Sequence, residues 1–279
     1  MRFAVEHGLP VMFVTEDTTR AYPETIWKVY QAAINAGARR LCISDTVGHA
    51  TPEGVRALVS FLRRKVDEIA PEVGLDWHGH RDRGLDIVNT LVAIESGADR
   101  VHGCGLGIGE RSGNTPMELL LVNLNLIGWA NRDLTKLPDY CRVIADKCGA
   151  EIPFNYPVVG ADSFRTSTDV HAAAVVKALS RNEDWLADRV YCGVPASMVG
   201  RAQGIEIGPM SGEHNVRFYL RHRNIEEHPV FVEKILAAAK RSNQLLTEED
   251  VLRMVTVLRE RLKTGQSVAD DELEGALFG

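Results

Sequence analysis

The sequence predicts an α/β fold built on a parallel sheet. Short apolar strands, polar loops and amphipathic helices alternate four times within residues 1–125, and this alternation is typical of parallel βα units. Polar side chains also concentrate where each predicted strand ends. The carboxyl ends of parallel strands share one edge of a sheet, which is where α/β proteins place their active sites. We therefore expect a functional site at that edge.

The four units have clear local signals. The predicted strands are 10–14, 40–44, 73–77 and 100–104, and the predicted helices are 23–36, a helix from 51 onward, 85–95 and a helix from 116 onward. Gly37 ends the first of these helices, as a residue that tolerates positive φ can. Thr51 and Pro52 open the second helix as its cap and its first helical residue.

The chain changes character after the fourth unit. Prolines and glycines divide residues 130–223 into short pieces, with a predicted helix at 169–179, and residues 226–265 return to a helical pattern. We therefore divide the chain into residues 1–130, which carry the βα units, a linker or subdomain at 131–225, and a helical C-terminal subdomain at 226–279.

Composition excludes several classes of protein. There are 32 Lys and Arg against 38 Asp and Glu, for a net charge of −6, and no basic run that would support nucleic-acid binding. No apolar run is long enough for a membrane helix, and the first residues do not resemble a signal peptide. The five cysteines are scattered and lack the spacing of a zinc site or a disulfide framework. These observations favour a cytoplasmic enzyme or a small-molecule binder.

His78-Gly79-His80 is the sharpest local motif. Residues two apart on a strand share a face, so two imidazoles at a strand end can hold one divalent ion. The alternative is an exposed strand end with two solvated histidines.

The glycine-rich loop at 105–114 carries a second signal. Its spacing differs from the GxGxxG of dinucleotide-binding proteins, and no acidic residue closes a second strand at the required distance. The alternative is a loop whose glycines let the backbone approach a ligand, with Glu110, Arg111 and Asn114 projecting into the site.

Four motifs in order carry a resemblance to a family. They are Glu16-Asp17-Thr18-Thr19-Arg20, Asp45-Thr46-Val47-Gly48, His78-Gly79-His80-Arg81-Asp82-Arg83-Gly84 and Gly107-Ile108-Gly109-Glu110-Arg111-Ser112-Gly113-Asn114. Together they resemble the metal-dependent acyl transferases of the isopropylmalate, homocitrate and citramalate synthase group. The resemblance is close over residues 1–125 and looser over 126–225.

The resemblance implies a fold and a reaction. The fold would be the second half of a (β/α)8 TIM barrel, strands 5–8, followed by a mainly helical subdomain. The reaction would condense acetyl-CoA with a 2-oxo acid by Claisen-type chemistry, with Mg²⁺, Mn²⁺ or Zn²⁺ polarising the oxo-acid carbonyl. A homodimer is also implied, because the family's subdomain reaches its partner subunit; no nucleic acid or membrane is expected as a partner.

The resemblance also assigns roles to residues. His78 and His80 would be metal ligands, and Asn114 would add a carbonyl oxygen to the same ion or to its near shell. Thr46 would bond the oxo-acid carboxylate, and Glu16 would be a catalytic acid, base or orienting carboxylate. Without the family, Thr46 reads as a capping residue and Glu16 as a surface residue.

His171 is the second catalytic candidate. It lies in a segment that resembles the one around a family histidine that assists acid–base chemistry in the neighbouring subunit, but the family's flanking glycines are absent here. A buried helix histidine is the alternative. Asp82 is expected to have a supporting role, and Arg81 stands where the family usually has Asn. The other histidines, His102 among them, are expected to be structural or at the surface.

One family motif is missing. Leu-Arg-Asp-Gly, whose Asp is a metal ligand in the family, occurs nowhere in this sequence. We therefore expect the chain alone to be poorly folded or to associate, because half a barrel leaves two sheet edges unpaired, and to be catalytically weak or inactive. The β-rich leucine-sensing domain of isopropylmalate synthases is also not expected.

Several functions compete. Isopropylmalate synthesis, a step of leucine biosynthesis, is the leading hypothesis, with homocitrate and citramalate synthesis close behind. A lyase that cleaves 3-hydroxy-3-methylglutaryl-CoA shares the barrel and the histidine pair, but its loop carries Gly-Gly-Cys-Pro. The non-enzyme alternative is an inactive half barrel that serves as a binding or interaction module.

Overall fold

The computed structural model describes residues 1–265. The chain forms two compact units, one made of residues 1–132 and 139–152, the other of 133–138 and the residues from 153 onward. The division into 1–130, 131–225 and 226–279 stays a prediction, and residues 266–279 of its last segment lie outside the described residues.

The first unit contains a four-stranded sheet and its flanking helices. The strands are β1 (Val11–Val14), β2 (Ala38–Asp45), β3 (Gly74–Gly79) and β4 (Arg100–Val101), and the helices are α1 (Arg2–Glu6), α2 (Pro23–Asn35), α3 (Pro52–Ile69), α4 (Asp86–Glu95), α5 (Met117–Leu126) and α6 (Leu137–Cys148). The predicted alternation of strands and helices is therefore present. The strand predicted at 100–104 is shorter than expected, because only Arg100 and Val101 pair with β3.

All neighbouring strands are parallel and follow the order β1-β2-β3-β4. Leu41 of β2 lies opposite Leu75 of β3, and Ser44 lies opposite His78. Each new strand joins the same edge of the sheet, which is the winding of a (β/α)8 barrel; a doubly wound sheet reverses its strand order instead. The predicted fold is confirmed as a partial barrel followed by a helical region.

One face of this sheet forms the core of the first unit. Leu41 and Ile43 of β2, with Leu75 and Trp77 of β3, have no exposed surface. They pack in one cluster with α3, which contributes Val55, Val59, Leu62 and Val66. Those four positions are spaced by four, three and four residues, so they lie on one face of the helix. Burying each such side chain contributes about 1.5–3 kcal/mol.

Helix α3 begins as the sequence predicts. The Thr51 hydroxyl accepts a hydrogen bond from the Gly54 backbone N–H at 3.2 Å, and Pro52 occupies the first turn. The cap fixes where the β2-to-α3 loop ends, and that loop carries Thr46.

The opposite face of the sheet carries the polar positions. Cys42 and Ser44 of β2 and Asp76 and His78 of β3 alternate with the core residues. The carboxylate of Asp76 has no exposed surface and pairs with Arg40 and Arg100. On β2 and β3 the inner face therefore carries polar side chains, such as Ser44, Asp76 and His78, whereas the outer face is apolar.

The second unit is mainly helical. Its helices are α7 (Asp169–Ser180), α8 (Asp184–Ala187), α9 (Glu213–His222), α10 (Pro229–Arg241) and α11 (Glu248–Thr264), and two short parallel strands, β5 (Arg165–Thr166) and β6 (Gly204–Ile205), pair with each other. Residues 130–223 are thus more regular than predicted, since they hold α6, α9 and this two-stranded sheet. Gly212, read as a helix breaker in the sequence, precedes α9 as its N-cap residue.

Helices α9, α10 and α11 share a core. Tyr219, Phe231, Ile235 and Met254 are among its buried members. Thr247 caps α11, as predicted, and forms a reciprocal capping box with Asp250. Among residues 1–265, no helix combines the length and the apolar character needed to cross a bilayer.

Candidate functional site

The loops that follow the four strands carry the candidate site. Glu16, two residues beyond β1, is exposed. The next residue, Asp17, has a left-handed backbone (φ 53°) and forms a two-pronged ion pair with Arg20 at 2.7 Å for each bond. The backbone N–H of Asp17 donates to the Thr46 hydroxyl at 2.7 Å. The first two loops are therefore joined through Thr46.

Asp45 orders the loop around Thr46. Its buried carboxylate accepts hydrogen bonds from the Thr19 hydroxyl at 2.8 Å and from the His49 backbone N–H at 2.9 Å. Thr46 thus sits between a fixed Asp45 and the Asp17 amide. Because its oxygen already accepts from Asp17, its hydroxyl hydrogen can be donated to a ligand.

His78 and His80 lie on the same side of β3 and its extension. Their ring centroids are 5.2 Å apart, in an edge-on arrangement. His80 is 9% exposed, and its Nδ1 atom is buried without a hydrogen-bond partner. Such an orphaned nitrogen is costly unless something occupies the space beside it.

Asn114 lies beside His80. The two residues form an isolated antiparallel bridge, and the Asn114 amide nitrogen donates to the Cys104 sulfur at 3.6 Å. The Asn114 carbonyl oxygen is, like His80 Nδ1, buried without a partner. Two of the three predicted ligands therefore carry unsatisfied electron-pair donors.

The surroundings of His78 favour the neutral form of its imidazole. Burial lowers the pKa of the His78 imidazole, and the neighbouring His102 and His80 lower it further. A divalent ion binds the neutral imidazole, so this environment favours ligation over protonation.

His102, expected from the sequence to be structural or at the surface, lies at the site. Its ring centroid lies 5.5 Å from that of His78, and its Nε2 lies 3.1 Å from an oxygen of Asp76. His102 lies just beyond β4, and β4 is the neighbour of β3, which carries His78. That position is the sequence signal that could have placed His102 near the histidine pair.

The donor set fits a divalent ion in part. Within residues 1–265 no three His, Cys, Asp or Glu side chains are grouped so as to hold a metal ion. The candidate donors are two imidazoles and one amide oxygen, and the unpaired His80 Nδ1 and Asn114 Oδ1 are the observation in favour. Mixed nitrogen and oxygen ligation suits a divalent ion that keeps open positions.

Arg111 of the glycine-rich loop makes two contacts that the sequence did not specify. Glu110, which was expected to project into the site, is exposed. Arg111 instead bonds the Asp82 carboxylate and the Thr46 carbonyl oxygen. The Arg111 guanidinium holds the pKa of Asp82 below its usual range.

His171 belongs to the second unit. It lies in the first turn of α7, is half-buried, and stacks on Tyr191 with ring centroids 4.1 Å apart. Its predicted catalytic role stays a prediction.

Comparison with known proteins gives a consistent set of matches. Residues 1–144 match the HMGL-like family. The chain is 31% identical over 256 residues to a putative (R)-citramalate synthase of Methanopyrus kandleri, covering 90% of this chain and 48% of that protein. It is 30% identical over 269 residues to a homocitrate synthase of Methanocaldococcus jannaschii, covering 94% and 63%. It is 30% identical over 242 residues to a probable 2-isopropylmalate synthase of Methanopyrus kandleri, covering 86% and 46%. The chain therefore spans about half to two thirds of the length of these relatives.

Proposed function

The chain belongs to the HMGL-like family, and from that membership we propose that it forms part of an acyl transferase that condenses acetyl-CoA with a 2-oxo acid. The names of the relatives, which are citramalate, homocitrate and 2-isopropylmalate synthases, support this class of reaction. Because the chain spans only part of their length, the activity is proposed for the protein that carries this chain. Among the three oxo acids we favour the one used in 2-isopropylmalate synthesis, with the other two as alternatives.

The observation that carries the proposal is the pair of unsatisfied donors at the sheet edge. His80 Nδ1 and Asn114 Oδ1 are buried and unpaired, and they lie with His78 at the carboxyl ends of the strands. We assign the divalent ion, Mg²⁺, Mn²⁺ or Zn²⁺, to these three residues. A bound ion would polarise the 2-oxo carbonyl for attack by the acetyl methyl carbon.

The remaining residues would bind substrate and move protons. Thr46 can donate its hydroxyl hydrogen to the oxo-acid carboxylate, since its oxygen already accepts from the Asp17 amide. Glu16, exposed at the same edge, and His171 are assigned to acid–base chemistry: a proton leaves the acetyl methyl group, and a proton reaches the new alkoxide. Water then cleaves the thioester and releases free CoA. A homodimer, with His171 serving a partner subunit, is part of the same proposal.

Release of CoA tests this function. The protein is incubated with Mn²⁺, acetyl-CoA and one of 2-oxoisovalerate, 2-oxoglutarate or pyruvate, and free thiol is followed. Release that depends on one oxo acid is expected. Thr46→Val should raise the KM for that oxo acid about tenfold or more, since a hydrogen bond to a charged group is lost, and Thr46→Ser is the control that keeps it. Absence of oxo-acid-dependent release from the protein that carries this chain would contradict the proposal.

A further inference from the structure

Three loops of the first unit meet around the candidate donors. We call them the β2 loop (46–51), the β3 loop (80–85) and the β4 loop (102–116). The His80 backbone N–H donates to the Asp45 carbonyl, just before the β2 loop, at 3.2 Å, and the Arg81 N–H donates to the Gly113 carbonyl of the β4 loop at 3.0 Å. The β3 loop is thus bonded by its backbone to both neighbours.

Arg111 joins the same three loops through one side chain. From the β4 loop, its Nε and one Nη donate to the two Asp82 carboxylate oxygens at 2.7 and 3.0 Å. The same Nη donates to the Thr46 carbonyl oxygen at 2.7 Å. The planar fork of a guanidinium is needed to reach two partners at fixed angles, and a lysine ammonium does not have it.

Each anchor of this side chain is close in sequence to a proposed site residue. Arg111 itself precedes Asn114 by three positions, Asp82 follows His80 by two, and the third anchor is the carbonyl of Thr46. A shift of any one loop would therefore move a donor or the substrate-binding hydroxyl.

The backbone is shaped to permit this arrangement. Arg111 has φ 54°, in the left-handed region that L side chains rarely adopt. Gly48 of the β2 loop has φ 58°, and a Cβ there would lie 2.8 Å from the Asp82 backbone nitrogen. A strained non-glycine residue persists where surrounding contacts hold it, and here those contacts are the bonds to Asp82 and Thr46.

We propose that Arg111 is a positioning residue that sets the relative placement of Thr46, His80 and Asn114, and so the affinity of the site for a divalent ion. This inference rests on the proposed function. The pair of Arg111 with Asp82 also differs from an ordinary surface ion pair. Surface pairs contribute little to stability, and Arg111 should affect the metal affinity of the site far more than the stability of the fold.

The matched control is Arg20. It forms the same two-pronged pair with Asp17, but within one loop and three residues apart. Arg111→Lys and Arg20→Lys therefore both remove a two-pronged guanidinium. In Arg111→Lys the lost bonds join three loops, and in Arg20→Lys they lie within a single loop.

The experiment measures Mn²⁺ affinity and urea unfolding for the full 279-residue chain and both variants. Bound and free Mn²⁺ are separated by the EPR signal of the free ion. We expect Arg111→Lys to weaken Mn²⁺ binding by about 10–100-fold, the usual effect of losing a residue that orients ligands, with an unchanged urea midpoint. Arg20→Lys should change neither quantity.

Two further variants keep the inference falsifiable. Asp82→Asn removes the carboxylate and leaves Arg111 in place, so it decides the question if Arg111→Lys fails to fold. In Asp82→Asn combined with Arg111→Lys, the fold-loss of Mn²⁺ affinity should be smaller than the product of the losses in the two single variants, because both substitutions break the same link.

The outcomes separate the two proposals. If the parent chain does not bind Mn²⁺, the assignment of the ion to His78, His80 and Asn114 fails, and the positioning role of Arg111 fails with it. The positioning role of Arg111 is overturned if the parent binds Mn²⁺ and Arg111→Lys binds it as tightly as Arg20→Lys does. Where Arg111→Lys does not fold, Asp82→Asn takes its place in this comparison. In either case the proposed function stands.

Discussion

The two faces of the four-stranded sheet are built from alternate residues of the same strands, yet they serve different ends. On β3, Leu75 and Trp77 face the helices and have no exposed surface, whereas Asp76 and His78 face the inside of the partial barrel. The outer face is apolar and packed against α3. The inner face collects arginines, a carboxylate and histidines. A strand therefore separates stability from chemistry by a single residue step.

The largest expected effect is on the outer face. Trp77→Ala removes a fully buried side chain and should lower the free energy of unfolding by about 3–5 kcal/mol, as large cavities in a core do. Urea unfolding measures it. Trp77→Phe is the control and should lower the free energy of unfolding by less. It leaves a smaller cavity, and it also removes the indole N–H, which is buried without a hydrogen-bond partner. Equal losses for both variants would contradict the packing argument.

A smaller effect is expected from the charged cluster at the base of the inner face. Asp76 is fully buried and accepts hydrogen bonds from Arg40 at 2.6 Å and Arg100 at 2.7 Å. Burial acts to raise the pKa of Asp76, but the hydrogen bonds from Arg40, Arg100 and His102 hold it below its usual value.

Asp76→Asn should therefore lower the free energy of unfolding by about 2–4 kcal/mol. This loss is somewhat less than that expected on breaking a wholly buried pair, because the Arg100 side chain is half exposed. Asp67→Asn is the matched control, since Asp67 pairs with Arg63 on the surface of α3 and should cost less than about 1 kcal/mol. A cost for Asp76→Asn as small as that of Asp67→Asn would show that the inner cluster does not hold the strands together.

The smallest effect on stability is expected at the site itself. His78→Ala, next in sequence to Trp77, should change the free energy of unfolding by about 1 kcal/mol or less, because the ring is only half-buried and stands beside two other histidines. The same urea experiment measures it. A loss as large as that of Trp77→Ala would mean that the inner face contributes to folding as the outer face does.

The sequence predicted what depends on local periodicity. The alternation of βα units, the Thr51 cap of α3 and the capping box of α11 follow from residues close together in the chain. The histidine pair also followed from the two-residue repeat of a strand, and the structure places both rings on the same side of β3.

The sequence did not predict what depends on the register between loops. The approach of His102 to His78 requires the pairing of β4 with β3, and the bonds of Arg111 to Asp82 and Thr46 join residues 29 and 65 positions apart. No local pattern encodes those distances. Helices α6 and α9 were also missed. For α9 the reason is that Gly212 was read as a break, whereas it serves as an N-cap.

The central claim is that the inner face holds a divalent ion, and Mn²⁺ titration of the purified chain tests it most directly. The parent chain should bind Mn²⁺ saturably. Loss of a residue that supports a metal ligand weakens binding by about 10–100-fold, and His80→Ala should weaken it by more. His49→Ala is the control and should leave Mn²⁺ binding unchanged, because His49 is an exposed histidine of the β2 loop. A parent chain that binds no Mn²⁺, or a His80→Ala variant that binds it as well as the parent, would contradict the claim.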